Sequence, residues 1–365
     1  MAGQDPTQGG NPMMQGNPMM GGNPMMQGNP MMGGNPMMGG NPMMQMMQMM
    51  QMMMGQQMGM PQMDPSAMPF QNMGAPVQDG DAGLDSEIIR PATFSELIRE
   101  QEAVPTGSVL DLMCLGTGGH ALGGIPKGCT MALVGPPGRG KTRTMLGALC
   151  RVAATGVKVG LVVAEEGFHD ADGSGRDDLC SRLTKIGMAA TGLDEGAFRT
   201  QVLENIYVLE SQYHKGQTWD DFIAKYRYLV EKEQIGFVVI DSLNMLDPTK
   251  NHTADNLSAL KTYNHERGVT AVCIGQIKDT GMPVGGEALM HTADAVFLIE
   301  EMSLTSKDMA ALWGGNYRDK IGVIRAVKSV TTPTFAHPVR IDQDEVGVLQ
   351  VHEAHPADFA VPELG

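Results

Sequence analysis

Eight consecutive residues combine glycines, a lysine and a hydroxyl side chain in an order that suits phosphate binding. They run Gly-Pro-Pro-Gly-Arg-Gly-Lys-Thr from position 135 and fit the phosphate-binding loop pattern G-x-x-x-x-G-K-[ST]. Glycine reaches backbone angles that turn N–H groups toward a nucleotide's phosphates. We expect Lys141 to contact the β- and γ-phosphates and the Thr142 hydroxyl to ligate Mg²⁺. The expected nucleotide-binding residues are Gly135, Pro136, Pro137, Gly138, Arg139, Gly140, Lys141, Thr142 and Arg143.

The segments on both sides of this loop have the composition of a strand and a helix. Cys129 to Val134 is an apolar run of strand length, and a helical stretch begins at Thr144. A helix that leaves the loop directs the positive end of its dipole at the phosphates. This context favours a nucleotide site over a Gly/Pro-rich turn that matches the pattern by chance.

Acidic side chains follow two other apolar runs directly. Asp241 comes after Phe237–Ile240, and an aspartate at the tip of a buried strand is placed to hold Mg²⁺ or its water. Glu165 and Glu166 come after Val159–Ala164, where a carboxylate can activate the attacking water. We expect Glu165 to be the general base and Glu166 to assist it. The alternatives are a capping role for the aspartate and a solvated turn for the glutamates.

Gln276 follows a further apolar run, Thr270–Gly275. Its neutral amide can hydrogen-bond the γ-phosphate and lose that bond after hydrolysis, which would report the state of the nucleotide to the next loop. That loop, Ile277–Leu289, is rich in glycine and contains Lys278 and Gly281. We interpret it as a mobile binding loop, with an ordinary connection as the alternative.

From Met131 onward, apolar runs of strand length alternate with helical stretches. This alternation indicates an α/β fold, with a mostly parallel sheet covered by helices on both faces and a ligand site at the carboxyl ends of the strands. The predicted strands are Met131–Val134, Val159–Ala164, Ile206–Leu209, Phe237–Ile240, Thr270–Gly275, Ala295–Ile299 and Ile321–Ala326, followed by a terminal pair at Val339–Asp342 and Val346–Val351. The predicted helices are Ile88–Gln101, Thr144–Thr155, Arg176–Gly187, Trp219–Glu233, Ala254–Gly268 and Gly286–Thr292.

Residues 1–85 differ in composition from the rest of the chain. They hold 25 of the 34 methionines, no lysine or arginine, and Phe70 as their one aromatic residue. Because dense proline and glycine interrupt helices and strands, we predict a disordered, low-complexity tail. Its methionines can ligate Cu(I), make adaptable apolar contacts with a partner or with other copies, or serve only as a spacer. The unit Asn-Pro-Met-Met recurs every six residues, at Asn11, Asn17, Asn23, Asn29, Asn35 and Asn41.

The remaining 280 residues can bury a sizeable core and carry 36 acidic against 26 basic side chains. This balance argues against a globally basic nucleic-acid-binding surface, but a local basic loop can suffice. The chain has neither a basic signal-peptide start nor eighteen consecutive apolar residues, so no membrane span is expected. Its five cysteines form no C-x-x-C pair, which favours reduced thiols in the cytoplasm, or in a host cytoplasm if the chain is viral.

Taken in order, these motifs resemble the RecA superfamily of P-loop ATPases, and most of all its bacterial RadA branch. The likeness runs from about Glu87 to Gln350, nearly three quarters of the chain. Single motifs are shared across P-loop ATPases, whereas the ordered set is more specific. The matching segments are Thr106–Ser108, Leu110–Asp111, Gly123–Gly128, Val162–Glu166, Ile206–Glu210, Val238–Ser242, Gly285–Val296 and Arg325–Lys328.

The resemblance implies a ring or filament that binds ATP and Mg²⁺ between subunits and acts on single-stranded DNA in recombination, repair or strand exchange. In such an assembly Lys328, with Arg325, would act in trans on the γ-phosphate of a neighbouring subunit. Lys278 and Gly281 would contact the DNA, and Lys250 would provide a second contact.

The sequence also departs from the RadA pattern. A Met-rich tail stands in place of a four-cysteine zinc module, and we expect no protease-like C-terminal domain. Lys328 is followed by Ser329 where Asn-Arg-Phe-Gly is typical, so the expected trans arginine is missing. Gln276 stands where a histidine is usual.

Two other functions remain open, and the domain organisation follows from the resemblance. The first alternative is a KaiC-like signalling or scaffold ATPase that acts on protein partners, with the Met-rich tail as its docking element. The second is a hexameric helicase motor of the DnaB type. The predicted organisation is a disordered tail over residues 1–85, a RecA-like ATPase domain over residues 86–352, and a flexible C-terminal tail over residues 353–365.

Overall fold

The computed structural model describes residues 90–94, 100–169, 175, 177–212, 216, 218–246, 252–277 and 291–365. The predicted disordered tail lies outside these residues. So do the predicted DNA contacts Lys250, Lys278 and Gly281, half of the predicted helix at 88–101 and most of the one at 286–292. Of the first of these helices, the described part contains a single 3₁₀ turn at Pro91–Thr93.

A nine-stranded sheet forms the centre of the described structure, and six of its strands are parallel. This confirms the predicted α/β fold with a mostly parallel sheet. Two short strands, β1 (Ala103–Val104) and β2 (Ile125–Pro126), form a separate antiparallel pair. The parallel strands are β3 (Thr130–Gly135), β4 (Val159–Val163), β5 (Ile206–Glu210), β6 (Phe237–Asp241), β7 (Thr270–Gln276) and β8 (Ala295–Ser303), in the spatial order β8-β3-β7-β6-β4-β5.

Three antiparallel strands extend the sheet beyond β8. They are β9 (Lys320–Ser329), β10 (Val339–Gln343) and β11 (Leu349–Val351). The last two form the strand pair that the sequence predicts, with Ile341 opposite Val351. The β8–β9 pairing is long, running from Ala295 opposite Ser329 to Ser303 opposite Lys320.

Helices cover both faces of the sheet. Successive strand residues point to opposite faces, so their side chains are buried on both. Met131 and Leu133 of β3 belong to one apolar cluster, whereas Ala132 and Val134 belong to the other. Burial on both faces explains why the strands are apolar throughout rather than alternating. The helices are α1 (Lys141–Ala154), α2 (Leu179–Thr191), α3 (Glu195–Gln201), α4 (Trp219–Glu231), α5 (Leu243–Leu246), α6 (Thr253–Arg267) and α7 (Lys307–Leu312).

Local capping sets the ends of several helices. The Asp178 carboxylate accepts a hydrogen bond from the Ser181 amide at the start of α2, and Gly192 ends that helix in the left-handed region. Thr218 and Asp221 form a capping box at the start of α4. None of the helices among the described residues is long and apolar enough to cross a bilayer.

The last thirteen residues differ from the expected flexible segment. Phe359 stacks on His337 with ring centroids 4.7 Å apart and lies 6.0 Å from Trp313. The Ala121 amide donates to the Glu363 carbonyl oxygen at 2.8 Å. Aromatic packing and backbone hydrogen bonds therefore hold this segment on the domain. The domain boundaries themselves remain predictions.

Gly187 on α2 is packed too closely against its neighbours to accept a larger side chain. A Cβ at Gly187 would lie 2.4 Å from Phe198 Cζ and 2.6 Å from Cys150 Sγ. We expect Gly187→Ala to lower the free energy of unfolding by about 1–3 kcal/mol, because overpacking forces its neighbours to move. Gly196→Ala is the control, since its Cβ would meet only Asp194 Oδ1, at 3.4 Å, and should change stability by less than about 0.5 kcal/mol. Urea denaturation measures both, and equal effects would contradict the packing argument.

Candidate nucleotide-binding site

Register in the parallel sheet brings the predicted site residues to one edge. Gly135 at the end of β3 lies opposite Gln276 of β7, and Asp241 of β6 lies opposite Val163, which ends β4. The two glutamates follow β4 directly, so they also lie at this edge. A cleft of about 280 Å³ is lined by Pro137, Gly138, Lys141, Thr142, Glu165, Glu166, Asp241 and Gln276, among others. The cleft lies at the carboxyl ends of the parallel strands, where the sequence predicts a ligand site.

A larger cavity, of about 630 Å³, lies near the amino-terminal ends of the strands. Its acidic side chains already have partners: Glu102 pairs with Lys127 at 2.5 Å, and the Asp111 carboxylate accepts hydrogen bonds from Thr106 and Gly107. The smaller cleft is therefore the better candidate for phosphate chemistry, because it combines a lysine, a hydroxyl group and carboxylates.

The loop between β3 and α1 owes its shape to glycine. Gly138 and Gly140 have φ angles of +72° and +79°, and Gly140 is the residue that precedes the first turn of α1. Lys141 is therefore the first helical residue, three positions earlier than the sequence predicts. Its Nζ donates to the carbonyl oxygens of Gly135 at 2.8 Å and Pro136 at 2.6 Å. Burial lowers the pKa of Lys141, while Asp241 and Glu165 act in the opposite direction.

The two predicted magnesium ligands contact each other. Thr142 Oγ1 donates to Asp241 Oδ2 at 2.6 Å. Burial raises the pKa of Asp241 to about 6; the Thr142 hydrogen bond lowers it, and the negative charge of Glu165 raises it further. A hydroxyl and a carboxylate oxygen at this distance fit the hard oxygen ligands that Mg²⁺ prefers, with phosphates and water completing the shell.

The adjacent glutamates have different partners. Gln276 Nε2 donates to Glu165 Oε1 at 2.9 Å, so the predicted base and the predicted sensor are in contact. Glu166 Oε2 instead accepts from Arg182 of α2 at 2.6 Å. The sequence does not predict a role for Arg182, because nothing in the local pattern around an arginine in a helix indicates that it pairs with Glu166.

The side chains of Arg139, in the phosphate-binding loop, and of Arg143, in the first turn of α1, point away from the cleft. Arg139 pairs with Glu301 of β8, and the Arg143 guanidinium donates to the Val346 carbonyl oxygen at 3.0 Å. The expectation that these two residues bind the nucleotide therefore rests on their backbone amides.

The β10–β11 hairpin supports the loop, a contact that the sequence did not reveal. Gln343 Nε2 donates to the Gly138 carbonyl oxygen at 3.3 Å, and the Leu349 amide donates to Thr144 Oγ1 at 3.0 Å. A Cβ at Gly140 would lie 2.8 Å from the Gly347 carbonyl oxygen. The hairpin therefore fixes the loop from the side of α1.

The structure does not bring the two predicted trans residues to the cleft. Lys328 pairs with Val296 near the start of β8, and Ala132 of β3 also lies opposite Val296. This position is toward the edge opposite the phosphate-binding loop. Lys328 Nζ donates to the carbonyl oxygens of Ala293, at 2.9 Å, and His291. The other predicted trans residue, Arg325, pairs with Glu300 at 2.7 Å.

Asp241 provides a prediction with a defined pH dependence. Its folded pKa of about 6 exceeds the reference value of 3.8, so its ionisation costs stability on the order of 3 kcal/mol, a cost that appears as the pH rises from about 4 to 6. In the absence of nucleotide and Mg²⁺, Asp241→Asn should stabilise the protein by that order at pH 7 and by about half as much at pH 5.

Urea denaturation at the two pH values checks this expectation. Glu353→Gln, which neutralises an exposed carboxylate, is the matched control and should have little effect at either pH. A destabilising Asp241→Asn at pH 7 would show that ionised Asp241 is well solvated or well paired.

Comparisons with known proteins found two DNA repair proteins that are similar to this chain. A DNA repair and recombination protein RadB from Methanosphaera stadtmanae is 29% identical over 231 residues, which are 59% of this chain and 88% of the relative. A DNA repair protein RadA from Brucella abortus is 22% identical over 240 residues, which are 66% of this chain and 43% of the relative. The chain thus spans less than half the length of that RadA.

A solved structure and a family model complete the comparison. A KaiC-like protein from the archaeon Pyrococcus horikoshii superposes with a TM-score of 0.49 and 18% identity, over 70% of this chain and 99% of that chain. A family model described as "ATPase: KaiC" matches residues 93–353, well over half of the sequence. The predicted membership of the RecA superfamily is thereby confirmed, and the chain belongs to the KaiC family of P-loop ATPases.

Proposed function

We propose that the chain is an oligomeric, Mg²⁺-dependent ATPase that binds single-stranded DNA and serves recombination, repair or strand exchange. One observation carries the ATPase part: the Thr142–Asp241 and Glu165–Gln276 contacts meet in one cleft beside the lysine of the phosphate-binding loop. The DNA part is supported by the relatives, which are named as DNA repair proteins.

Five side chains of the cleft have a role in this proposal. The loop amides and Lys141 bind the phosphates, and Thr142 with Asp241 hold Mg²⁺, which neutralises phosphate charge when it is bound. Glu165 accepts the proton of the attacking water. Gln276, which already contacts that base at 2.9 Å, exchanges this contact for the γ-phosphate and so transmits the state of the nucleotide to the loop that follows.

Oligomer formation completes the proposed site. Because Lys328 and Arg325 lie away from the cleft of their own chain, they can act on a nucleotide only in another copy. A ring or filament with the nucleotide between subunits supplies that arrangement. The five cysteines are free, which agrees with the proposed reducing, cytoplasmic location.

A signalling or scaffold ATPase that acts on protein partners is the second candidate. The family match and the acidic balance of the chain favour it. Both candidates share the same nucleotide chemistry, so the ligand that stimulates turnover separates them.

The first prediction tests the chemistry. Glu165→Gln should retain MgATP binding and lose turnover by about 10²–10⁴-fold, because a neutral amide cannot accept the proton. Lys141→Ala should weaken both binding and turnover. Steady-state ATPase assays and titration with a fluorescent ATP analogue measure the two effects. Glu195→Gln, at an exposed position on α3, is the control. Normal turnover in Glu165→Gln would remove the assignment of the base.

The second prediction tests the ligand. Single-stranded DNA should raise the ATPase rate, and Lys278→Ala should abolish that rise while the DNA-free rate persists. Apparent DNA affinity should fall as salt is raised, because neutralised phosphates release counterions. Lys307→Ala, at an exposed position on α7, is the control. A rate that single-stranded DNA does not alter at low salt would favour the signalling or scaffold candidate.

A further inference from the structure

Glu165 and Glu166 are neighbours in sequence, but their surroundings differ in charge. Glu165 is hydrogen-bonded by a neutral amide, that of Gln276. Glu166 is paired with a guanidinium, that of Arg182, at 2.6 Å. An amide leaves a carboxylate its full charge, whereas a guanidinium cancels that charge and fixes its geometry. The two carboxylates are therefore not equivalent partners in one reaction.

The start of α2 holds Arg182 in place. The Asp178 side chain caps this helix, and the Arg182 amide donates to the Asp178 carbonyl oxygen at 3.0 Å. Only 20% of the Arg182 side chain is exposed. Its Nε is buried and has no hydrogen-bond partner among the described residues. A buried donor without a partner is unfavourable, yet Arg182 is held in this position with its terminal nitrogen on Glu166.

Among the described residues, the neighbouring carboxylate of Asp177 does not compete for Arg182. The pKa of Asp177 is lowered mainly by its hydrogen bond with Lys185 of α2, at 2.7 Å, and to a smaller extent by the charge of Arg182. Glu166 therefore remains as the carboxylate that Arg182 contacts.

The charges of the cleft show why this pair matters. Glu165, Glu166 and Asp241 are acidic, and Lys141 is the basic residue among the described residues that line the cleft. ATP adds further negative charge to the same space. Like charges that share a partly buried site repel one another strongly. Arg182, which is not among the residues that line the cleft, cancels the charge of Glu166. Phosphate binding is therefore favoured without a second cation in the cleft.

We propose that Arg182 is a positioning residue for the hydrolysis: it holds the Glu166 carboxylate against α2 and cancels its charge, so that Glu165 alone serves as the base and the phosphates can enter. This inference rests on the proposed ATPase function and assigns to Glu166 a structural role in place of direct assistance.

The test compares charge removal with charge restoration. Arg182→Met keeps most of the apolar stem and removes the charge. Because the Glu166 charge would then repel the phosphates, this variant should raise the KM for MgATP and the Kd of a fluorescent ATP analogue by roughly tenfold, which corresponds to about 1.4 kcal/mol of binding free energy. Glu166→Gln in the same chain should restore both values to within about threefold of Glu166→Gln alone. Arg182→Lys, which keeps the charge, should lose less than Arg182→Met.

A matched control and a folding check accompany these variants. Lys185→Met removes a cation one turn away on α2, where it is paired with exposed Asp177, and should leave both values near those of the unaltered protein. Thermal unfolding of every variant shows whether a lost function reflects a lost fold.

Three results would overturn the proposal: wild-type affinity in Arg182→Met, a folded double variant as weak as Arg182→Met, or Arg182→Lys as weak as Arg182→Met. The second of these would mean that Arg182 contacts the nucleotide itself. Absence of ATP turnover in the unaltered protein would contradict the proposed function instead. The nucleotide titration would then still decide the role of Arg182, because charge cancellation acts on binding as well.

Discussion

A carboxylate buried at the tip of a strand is costly unless a hydrogen bond or a cation balances its charge, and Asp241 occupies such a position. Burial raises its pKa to about 6. The Thr142 hydroxyl, 2.6 Å away, is its hydrogen-bond donor, and this bond joins the first turn of α1 to the end of β6. The rest of the site depends on this contact, because it sets the phosphate-binding loop against the strand tips that carry the glutamates and Gln276.

The three carboxylates of the cleft have partners of three kinds. A hydroxyl serves Asp241, an amide serves Glu165 and a guanidinium serves Glu166. The first two partners are neutral, so those carboxylates keep the charge that the proposed metal binding and the proposed proton abstraction require. The third partner, the Arg182 guanidinium, cancels the negative charge of the Glu166 carboxylate. In the proposed function, one acidic cleft would in this way combine a metal ligand, a base and a charge-neutralised carboxylate beside the phosphates of the nucleotide.

The sequence predicts the strands and the residues at their tips well, because both signals are local. Strands buried on two faces are apolar throughout, and a polar residue that ends such a run must lie at the sheet's edge. Asp241, Glu165 and Gln276 were found in this way. Side-chain partners that are distant in sequence leave no local signal: Arg139 turns to Glu301, and Arg143 turns to the Val346 carbonyl oxygen.

Lys328 shows how one side chain can connect two requirements. In its own chain it donates to the carbonyl oxygens of His291 and Ala293, which directly follow the segment predicted to contact DNA. In the proposed trans role, the same ammonium would have to turn from these carbonyls toward a phosphate of a neighbouring subunit. Contact in trans would therefore compete with these two hydrogen bonds, whereas the Thr292 carbonyl oxygen would keep its hydrogen bond from Lys261, at 3.2 Å.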